Sequence, residues 1–347
     1  MSPTERLLGA LRSLSLDPET AAAERVAPLL YLDRPESASP ILRKSYYESA
    51  AKNLLLLEAL DELTGAFAAR GVFPVVLKGA DFARRLYSDA AMRPMGDLDL
   101  WVRPEEVDLA ESVLASLGYG PVPDMTPGLS RAIRHARLYV GARPGVGVDL
   151  HWSLVGHETD RRAPSLDWFQ SRVVDSRLDT TASLLYLAAH MKLQHYDERP
   201  LLIWLADFFL LSLQPGAEFP ALFAAARSFA WESALAATAA EVESRLGVEL
   251  PSSLAAYARA TEVTFPDLKG GPEHAWNELR TLPLRGRASL LRAWALPSPS
   301  YVRFRYRPRP AWTWPLYYPV RWARLASSAA SLALRPRRSS ALFGDVP

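Results

Sequence analysis

The 347-residue chain contains no cysteine. That excludes disulfides and thiolate-ligated metals, so any metal site here must be built from Asp, Glu or His. Long hydrophobic runs are missing too: no stretch approaches the roughly 18 uncharged apolar residues that cross a bilayer. The opening MSPTERLLGALRSL places Glu5 and Arg6 where a secretory signal needs an apolar run, so a cytoplasmic protein is expected. Residues 301–347 lack lysine and nearly all negative charge, with nine Arg against the single acid Asp345, while the first 300 residues hold 31 basic and 37 acidic side chains. A mildly acidic body therefore carries a strongly basic tail. What is present is ordinary for a globular protein, 49% hydrophobic and 22% charged residues in a length suited to about two domains.

Start and stop signals divide the chain. Ser2-Pro3-Thr4-Glu5 is a capping box with proline at the first helical position, and Leu7, Leu8 and Leu11 follow on one face. Ser39-Pro40 opens a run to about Arg70, closed by Gly71, in which Leu54, Leu55, Leu56 and Leu57 with Leu60 and Leu63 predict burial on more than one side. Shorter elements follow: a strand from Val72 to Leu77 (irregular or at an edge, given Pro74), a helix over Ala80–Tyr87, a loop over Ser88–Gly96 and a strand over Leu98–Val102. Pro104–Leu117 reads as a helix closing at Gly118, and Ala136–Val140 and Val146–Trp152 as strands of a hairpin. Beyond Ser165 the pattern is helical, with Thr180/Thr181 capping one helix, Pro200 opening another, then Phe219–Leu246 and Ser252–Val263. A last helix over about Val320–Leu334 precedes a frayed Arg335-Pro336-Arg337-Arg338 end. The expected class is α+β: a helical segment over 1–70, a small mixed sheet flanked by helices over 71–155, a helical domain over 156–300 and a basic aromatic tail over 301–347.

The chemistry concentrates on the strands. Asp97 and Asp99 alternate with Leu98 and Leu100, so both acids project to one face, roughly 7 Å apart, and repel unless a cation lies between them. Mg²⁺, with Mn²⁺ as a substitute, is the natural candidate, since it takes oxygen ligands and is shared with phosphates. Asp149 supplies a third acid on a later strand, and three carboxylates suffice for two ions that stabilise the attacking and leaving oxygens of a phosphoryl or nucleotidyl transfer. At Lys78-Gly79 a strand turns into a helix, where glycine permits close approach to a phosphate and Lys78 adds a charge. Arg93 either meets a triphosphate or pairs with Asp97 or Asp99. His151, on the face of Asp149, is expected to orient that acid by a hydrogen bond rather than to ligate metal. His190 reads as a core histidine paired with Asp207, with substrate contact as the lesser alternative. In the tail, Arg303, Arg305, Arg307 and Arg309 interleave with Phe304 and Tyr306. Such a pattern suits single-stranded nucleic acid or an anionic membrane surface, but docking on the acidic body with the arginines paired to its acids is the favoured reading.

Lys78-Gly79, Arg93, Asp97-Leu98-Asp99 and Val148-Asp149-Leu150-His151-Trp152 together resemble the nucleotidyltransferase superfamily that includes polymerase β. The pattern is closest to the bacterial uncharacterised nucleotidyltransferase family, which pairs a KG…R…DxD segment with a later DxHW. The likeness runs from about residue 50 to 210, through Leu184-Leu185, His190 and Trp204-Leu205-Ala206-Asp207. It implies that Asp97 and Asp99 bind both metals and Asp149 one of them, with Lys78, Gly79 and Arg93 on the phosphates. The implied reaction moves a nucleoside monophosphate, AMP from ATP above all, to an acceptor hydroxyl and releases pyrophosphate. Two features depart from the superfamily and are shared with the narrower family: Lys78-Gly79-Ala80 has no hydroxyl where Gly-Ser is usual, and the spacing from Gly79 to Asp97 is long. The acceptor stays open among a small molecule, a sugar, a peptide, a protein and a tRNA end, beside the alternative of an idle nucleotide-binding sensor or scaffold.

Overall fold

The computed structural model of the chain describes residues 2–129, 131, 134–155, 166–194, 199–264, 279, 282 and 284–334, with side chains through 327. The chain divides into two compact units, Met1–Val122 with Ser130–Asp267, and Pro123–Leu129 with Leu268–Pro347.

The first unit opens with helices α1 (Pro3–Ser13), α2 (Pro18–Ala23), α3 (Ala27–Asp33) and α4 (Pro40–Ala68). The capping box of α1 is formed, with Glu5 N donating to Ser2 Oγ and Ser2 N to Glu5 Oε2. In α4 the leucine run is buried on one face: Leu56, Leu60, Leu63 and Phe67 are inside, whereas Leu54 and Leu55 are 60% and 43% exposed. Helical periodicity separates neighbours in a leucine run, so the expected burial on several sides is corrected to a single stripe. Then come β1 (Val75–Leu77), α5 (Lys78–Arg85), β2 (Leu98–Trp101), α6 (Val107–Ser116), β3 (Gly120–Pro121), β4 (Ala136–Val140) and β5 (Gly147–His151). Past α7 (Leu166–Gln170), a short hairpin of β6 (Val173–Val174) and β7 (Arg177–Leu178) completes a mixed sheet in the order β3-β4-β5-β2-β1-β7-β6. The rest of the unit is helical: α8 (Thr180–Ala189), a π-helical turn His190–Gln194, α9 (Leu202–Ser212), α10 (Phe219–Phe229), α11 (Glu232–Leu246) and α12 (Ser252–Ala260).

Both sheet faces are covered. Leu98 and Leu100 of β2 and Val148 and Leu150 of β5 pack with α4 and α6. Val75, Leu77 and Trp101, from the other face, join the core formed by α8, α9 and α11. The register is what positions the site: β2 runs parallel to β5 with Asp99 opposite Asp149 and Trp101 opposite His151, while β1 lies antiparallel to β2 with Leu77 opposite Asp99. The acids therefore emerge on the face toward α8 and α9.

Three local expectations change. The helix expected over Phe219–Leu246 is broken at Ala230, which takes a left-handed φ of 57°, so that Trp231 turns inward to 2% exposure beside Phe169 and Phe229. Burial of an indole outweighs helix continuity there, without a glycine or proline to announce it. The cap of α8 is Asp179, whose Oδ1 accepts from Ala182 N at 2.8 Å, rather than Thr180 or Thr181. The β6–β7 hairpin turns on Asp175 and Ser176, both at positive φ, and two-residue strands leave too little alternation to read from sequence.

In the second unit, α13 (Leu284–Ala295), α14 (Pro299–Tyr306), a 3₁₀ turn Ala311–Leu316 and α15 (Tyr317–Leu334) follow one another. α15 begins three residues earlier than expected. Its Arg321 Nε and Trp322 Nε1 donate to Trp294 O and Ala295 O, each at 2.7 Å, satisfying carbonyls that the end of α13 leaves open. The segment 335–338 lies outside the described residues.

Candidate active site

Strand pairing brings the chemistry together. Acids two apart along one strand stand roughly 7 Å from each other, whereas partners across a ladder are under about 5 Å apart. Asp99 and Asp149 are such partners, and with His151 they form a cluster whose ligand atoms all lie within 4.8 Å of one another. His151 is fully buried, and its Nε2 stands 3.1 Å from Asp99 Oδ1 and 3.5 Å from Asp149 Oδ2. Asp97, just before β2, stays outside this cluster and is exposed. Of the three acids expected from sequence, Asp99 and Asp149 thus lie together with His151, and Asp97 lies beside them.

Lys78 completes the centre. Its Nζ lies 3.0 Å from Asp99 Oδ1 and 5.7 Å from the centroid of the Tyr186 ring. The same ammonium is 3.3 Å from His190 Nδ1, whose other neighbour, Gln194 Oε1, is at 3.1 Å. Gln194 Nε2 reaches His135 Nε2 at 2.6 Å, and the His135 ring lies 5.6 Å from that of His151. Polar contacts thus run from His151 through Asp99, Lys78, His190 and Gln194 to His135, whose ring lies back against that of His151. His190 and Gln194 bound the π-helical turn, and the extra residue per turn there is a feature often found at functional sites. In the Lys78-Gly79 turn the residue with the unusual backbone is the lysine, at φ +43°, in a left-handed region that costs a non-glycine residue about 1–3 kcal/mol.

The charges are strongly coupled. Burial would raise the Asp99 carboxyl, but the Lys78 ammonium and the His151 hydrogen bond override it and hold the acid far below the usual carboxylate range. Burial likewise works against the Lys78 ammonium, and the Asp99 charge outweighs it and raises its pKa. Asp97 is pushed up, by desolvation first and then by the charges of Asp99 and Asp149. A cation at this spot would relieve that repulsion. The donor set of two carboxylates and an imidazole suits a divalent ion, and Nε2 is the nitrogen that faces the two acids while Nδ1 is buried without a hydrogen-bond partner. The residues present fit such an ion, and Asp149, whose side chain is 30% exposed, offers it the way in.

Arg93 is placed elsewhere. Its guanidinium is buried against Asp207, with Nη2 and Nε 2.7 and 3.1 Å from Oδ2, and pairs with neither Asp97 nor Asp99. Asp207 also accepts from Tyr87 OH at 2.8 Å, so it serves Arg93 and Tyr87 in place of the expected His190. The charge and hydrogen bonds of Asp207 offset the burial of Arg93 and keep its pKa raised. Gly79 lies directly beneath this network: a Cβ there would stand 3.2 Å from Arg93 Nη1 and 3.4 Å from Met95 Cγ. The glycine thus lets Arg93 and Met95 close on the turn that carries Lys78. Gly79→Ala is expected to cost about 1–2 kcal/mol through overpacking, read as a lowered urea midpoint with an unchanged m-value.

The loop leading to Asp97 is tied down by α4. Asn53 Nδ2 donates to Ala90 O and Arg93 O at 2.7 and 2.9 Å, and its Oδ1 accepts from Met95 N at 3.2 Å. Ser49 Oγ donates to Ala91 O, and Tyr46 OH donates to Asp89, which pushes the phenol up to about 12. Tyr46, Ser49 and Asn53 recur at helical spacing along one face of α4, a polar stripe that the sequence reading passed over. Gln194, His135 and Tyr186 were passed over as well, and none of them sits in a recognisable motif.

Compared with known proteins, residues 19–247 match the family model described as uncharacterised nucleotidyltransferase. No curated protein and no solved structure matches the chain.

Proposed function

The chain belongs to the uncharacterised nucleotidyltransferase family, and from that premise we propose that it transfers a nucleoside monophosphate, AMP from ATP in the first instance, to an acceptor hydroxyl. The observation that carries this reading is the parallel register that sets Asp99 beside Asp149, with Lys78 closing on Asp99. Asp99, Asp149 and His151 would hold Mg²⁺, and Asp97 is the acid at hand for a second ion. Mg²⁺ bound by these residues would neutralise phosphoryl charge and favour ionisation of the acceptor hydroxyl.

The chain's own groups have distinct tasks. Lys78 balances the charge of Asp99 in the free protein and turns its ammonium to the triphosphate when the nucleotide enters. Asp149, the more exposed of the two clustered acids, takes the hydroxyl proton as the new O–Pα bond forms and the bond from Pα to pyrophosphate breaks. In the free protein His151 Nε2 holds the two carboxylates in place, and the same nitrogen is the one available to the ion. Arg93 acts through Gly79 and Met95 to hold the Lys78 turn, with Asp207 as its anchor, and so positions the phosphate-facing lysine without meeting the phosphates itself.

The direct test supplies labelled NTPs and Mg²⁺ to the protein with fractionated cell extract as the acceptor source. Pyrophosphate release together with an acceptor heavier by one nucleotidyl group supports the reading. Absence of both with every NTP and fraction overturns it.

A further inference from the structure

The second unit carries a surface that the proposed reaction does not use. Residues 284–334 hold nine Arg and not one Asp or Glu. Among the described residues Arg303, Arg305, Arg307, Arg309 and Arg324 are exposed and have no carboxylate partner within their own unit. Uncovered apolar groups accompany them: Trp312 is 74%, Leu316 63%, Trp322 47% and Val320 43% exposed.

These groups are ordered along α15. The hydroxyl and guanidinium of Tyr318 and Arg321 turn inward to Pro297 O and Trp294 O at 2.6 and 2.7 Å, which fixes the helix about its axis. At about 100° per residue, Val320 and Ala323 of α15 then form an outward stripe, with Arg324 on one side and the half-exposed Trp322 on the other, and exposed Leu316 of the preceding 3₁₀ turn adjoins its start. An apolar stripe flanked by arginine and tryptophan is the pattern of a helix lying in a bilayer interface, its aliphatic groups at the acyl boundary and its cations among the headgroups.

We propose that this face of the second unit docks on an anionic membrane surface, with α15 lying in the headgroup plane. Three observations select that partner. The unpaired arginines require an anionic one, and a second copy of the same face would oppose arginine to arginine. Exposed Leu316 and Val320 gain from acyl chains and find no counterpart on a sugar-phosphate backbone, and the exposed Trp312 and Trp322 suit the headgroup level of a bilayer. Among the described residues no helix is long and apolar enough to cross a membrane, so α15 lies on the surface rather than spanning it.

The test co-sediments the full chain with phosphatidylcholine vesicles, with and without phosphatidylglycerol, and follows tryptophan emission. Binding at least about tenfold stronger to the anionic vesicles, with a blue shift, is expected. Both Leu316→Asp/Val320→Asp and Trp312→Ala/Trp322→Ala should weaken it by about tenfold or more, and Arg305→Ala or Arg324→Ala by about fivefold each. All these sites are exposed or half-buried, and far-UV circular dichroism verifies that each variant remains folded. Absence of vesicle binding overturns the proposal. So does equal binding to neutral and anionic vesicles, or a single-stranded oligonucleotide that binds in a Leu316- and Val320-independent way while vesicles do not. Self-association lost in Leu316→Asp/Val320→Asp, again without vesicle binding, would assign the face to a second copy and overturn it as well. None of these readouts depends on nucleotidyl transfer.

Discussion

Asp207→Ala is expected to lower the free energy of unfolding by about 3–5 kcal/mol, because it strands a buried cation. The side chains of Arg93 and Asp207 are only 6% and 0% exposed, and a guanidinium cannot shed its charge to adapt. Tyr87 OH loses its acceptor in the same step. Urea denaturation checks the loss as a reduced midpoint with little change in slope. The double variant Arg93→Met/Asp207→Leu should recover much of the stability, since an apolar pair of similar volume commonly replaces a buried ion pair at small cost. It should not recover activity, because Arg93 and Gly79 together hold the turn that carries Lys78. A double variant as active as the wild type would limit Arg93 to a stabilising part.

The largest effect on activity is expected from Asp149→Asn. The substitution keeps shape and hydrogen bonding but removes a charge from the cluster, and several kcal/mol of lost transition-state stabilisation corresponds to about 10³-fold or more in kcat. Asp149 is the better site for the test because it is partly exposed and the buried Lys78 ammonium pairs with Asp99 instead. Asp99→Asn would lower activity too, but it also leaves the buried Lys78 ammonium without its carboxylate, so folding and chemistry change together. With wild-type stability retained, a fall in kcat without a matching rise in KM would place Asp149 in the reacting centre.

Much of this was legible in the sequence, for identifiable reasons. Alternation around Asp97-Leu98-Asp99 and Val148-Asp149-Leu150 marks which residues face the core and which face the site, and the sheet follows both patterns. Register is the part that alternation leaves open. A parallel pairing of β2 with β5 makes Asp99 and Asp149 neighbours and brings in His151, while Asp97, on the same face, ends two residues away at the open end. Partners distant in sequence were the least visible. Asp207 stands 114 residues from Arg93 in an otherwise apolar helix, LIWLADFFLLS, and a lone acid in such a helix is itself a signal, since a buried carboxylate demands a cation. Glycine in the Lys78-Gly79 turn was expected to let a phosphate approach, but the structure packs Arg93 and Met95 against Gly79 and gives the left-handed conformation to Lys78. Ala230 breaks a helix without any breaker residue, because the burial of Trp231 decides the matter from a distance.

The central claim, that Asp99, Asp149 and His151 form the divalent-cation site through which the protein engages an NTP, is tested most directly by calorimetric titration with a non-hydrolysable ATP analogue. The wild type should bind the analogue in Mg²⁺ or Mn²⁺, lose that binding in EDTA, and show at least about tenfold weaker metal-dependent binding as Asp149→Asn. Equal affinity with and without a divalent cation, or full metal-dependent affinity in Asp149→Asn, would contradict it.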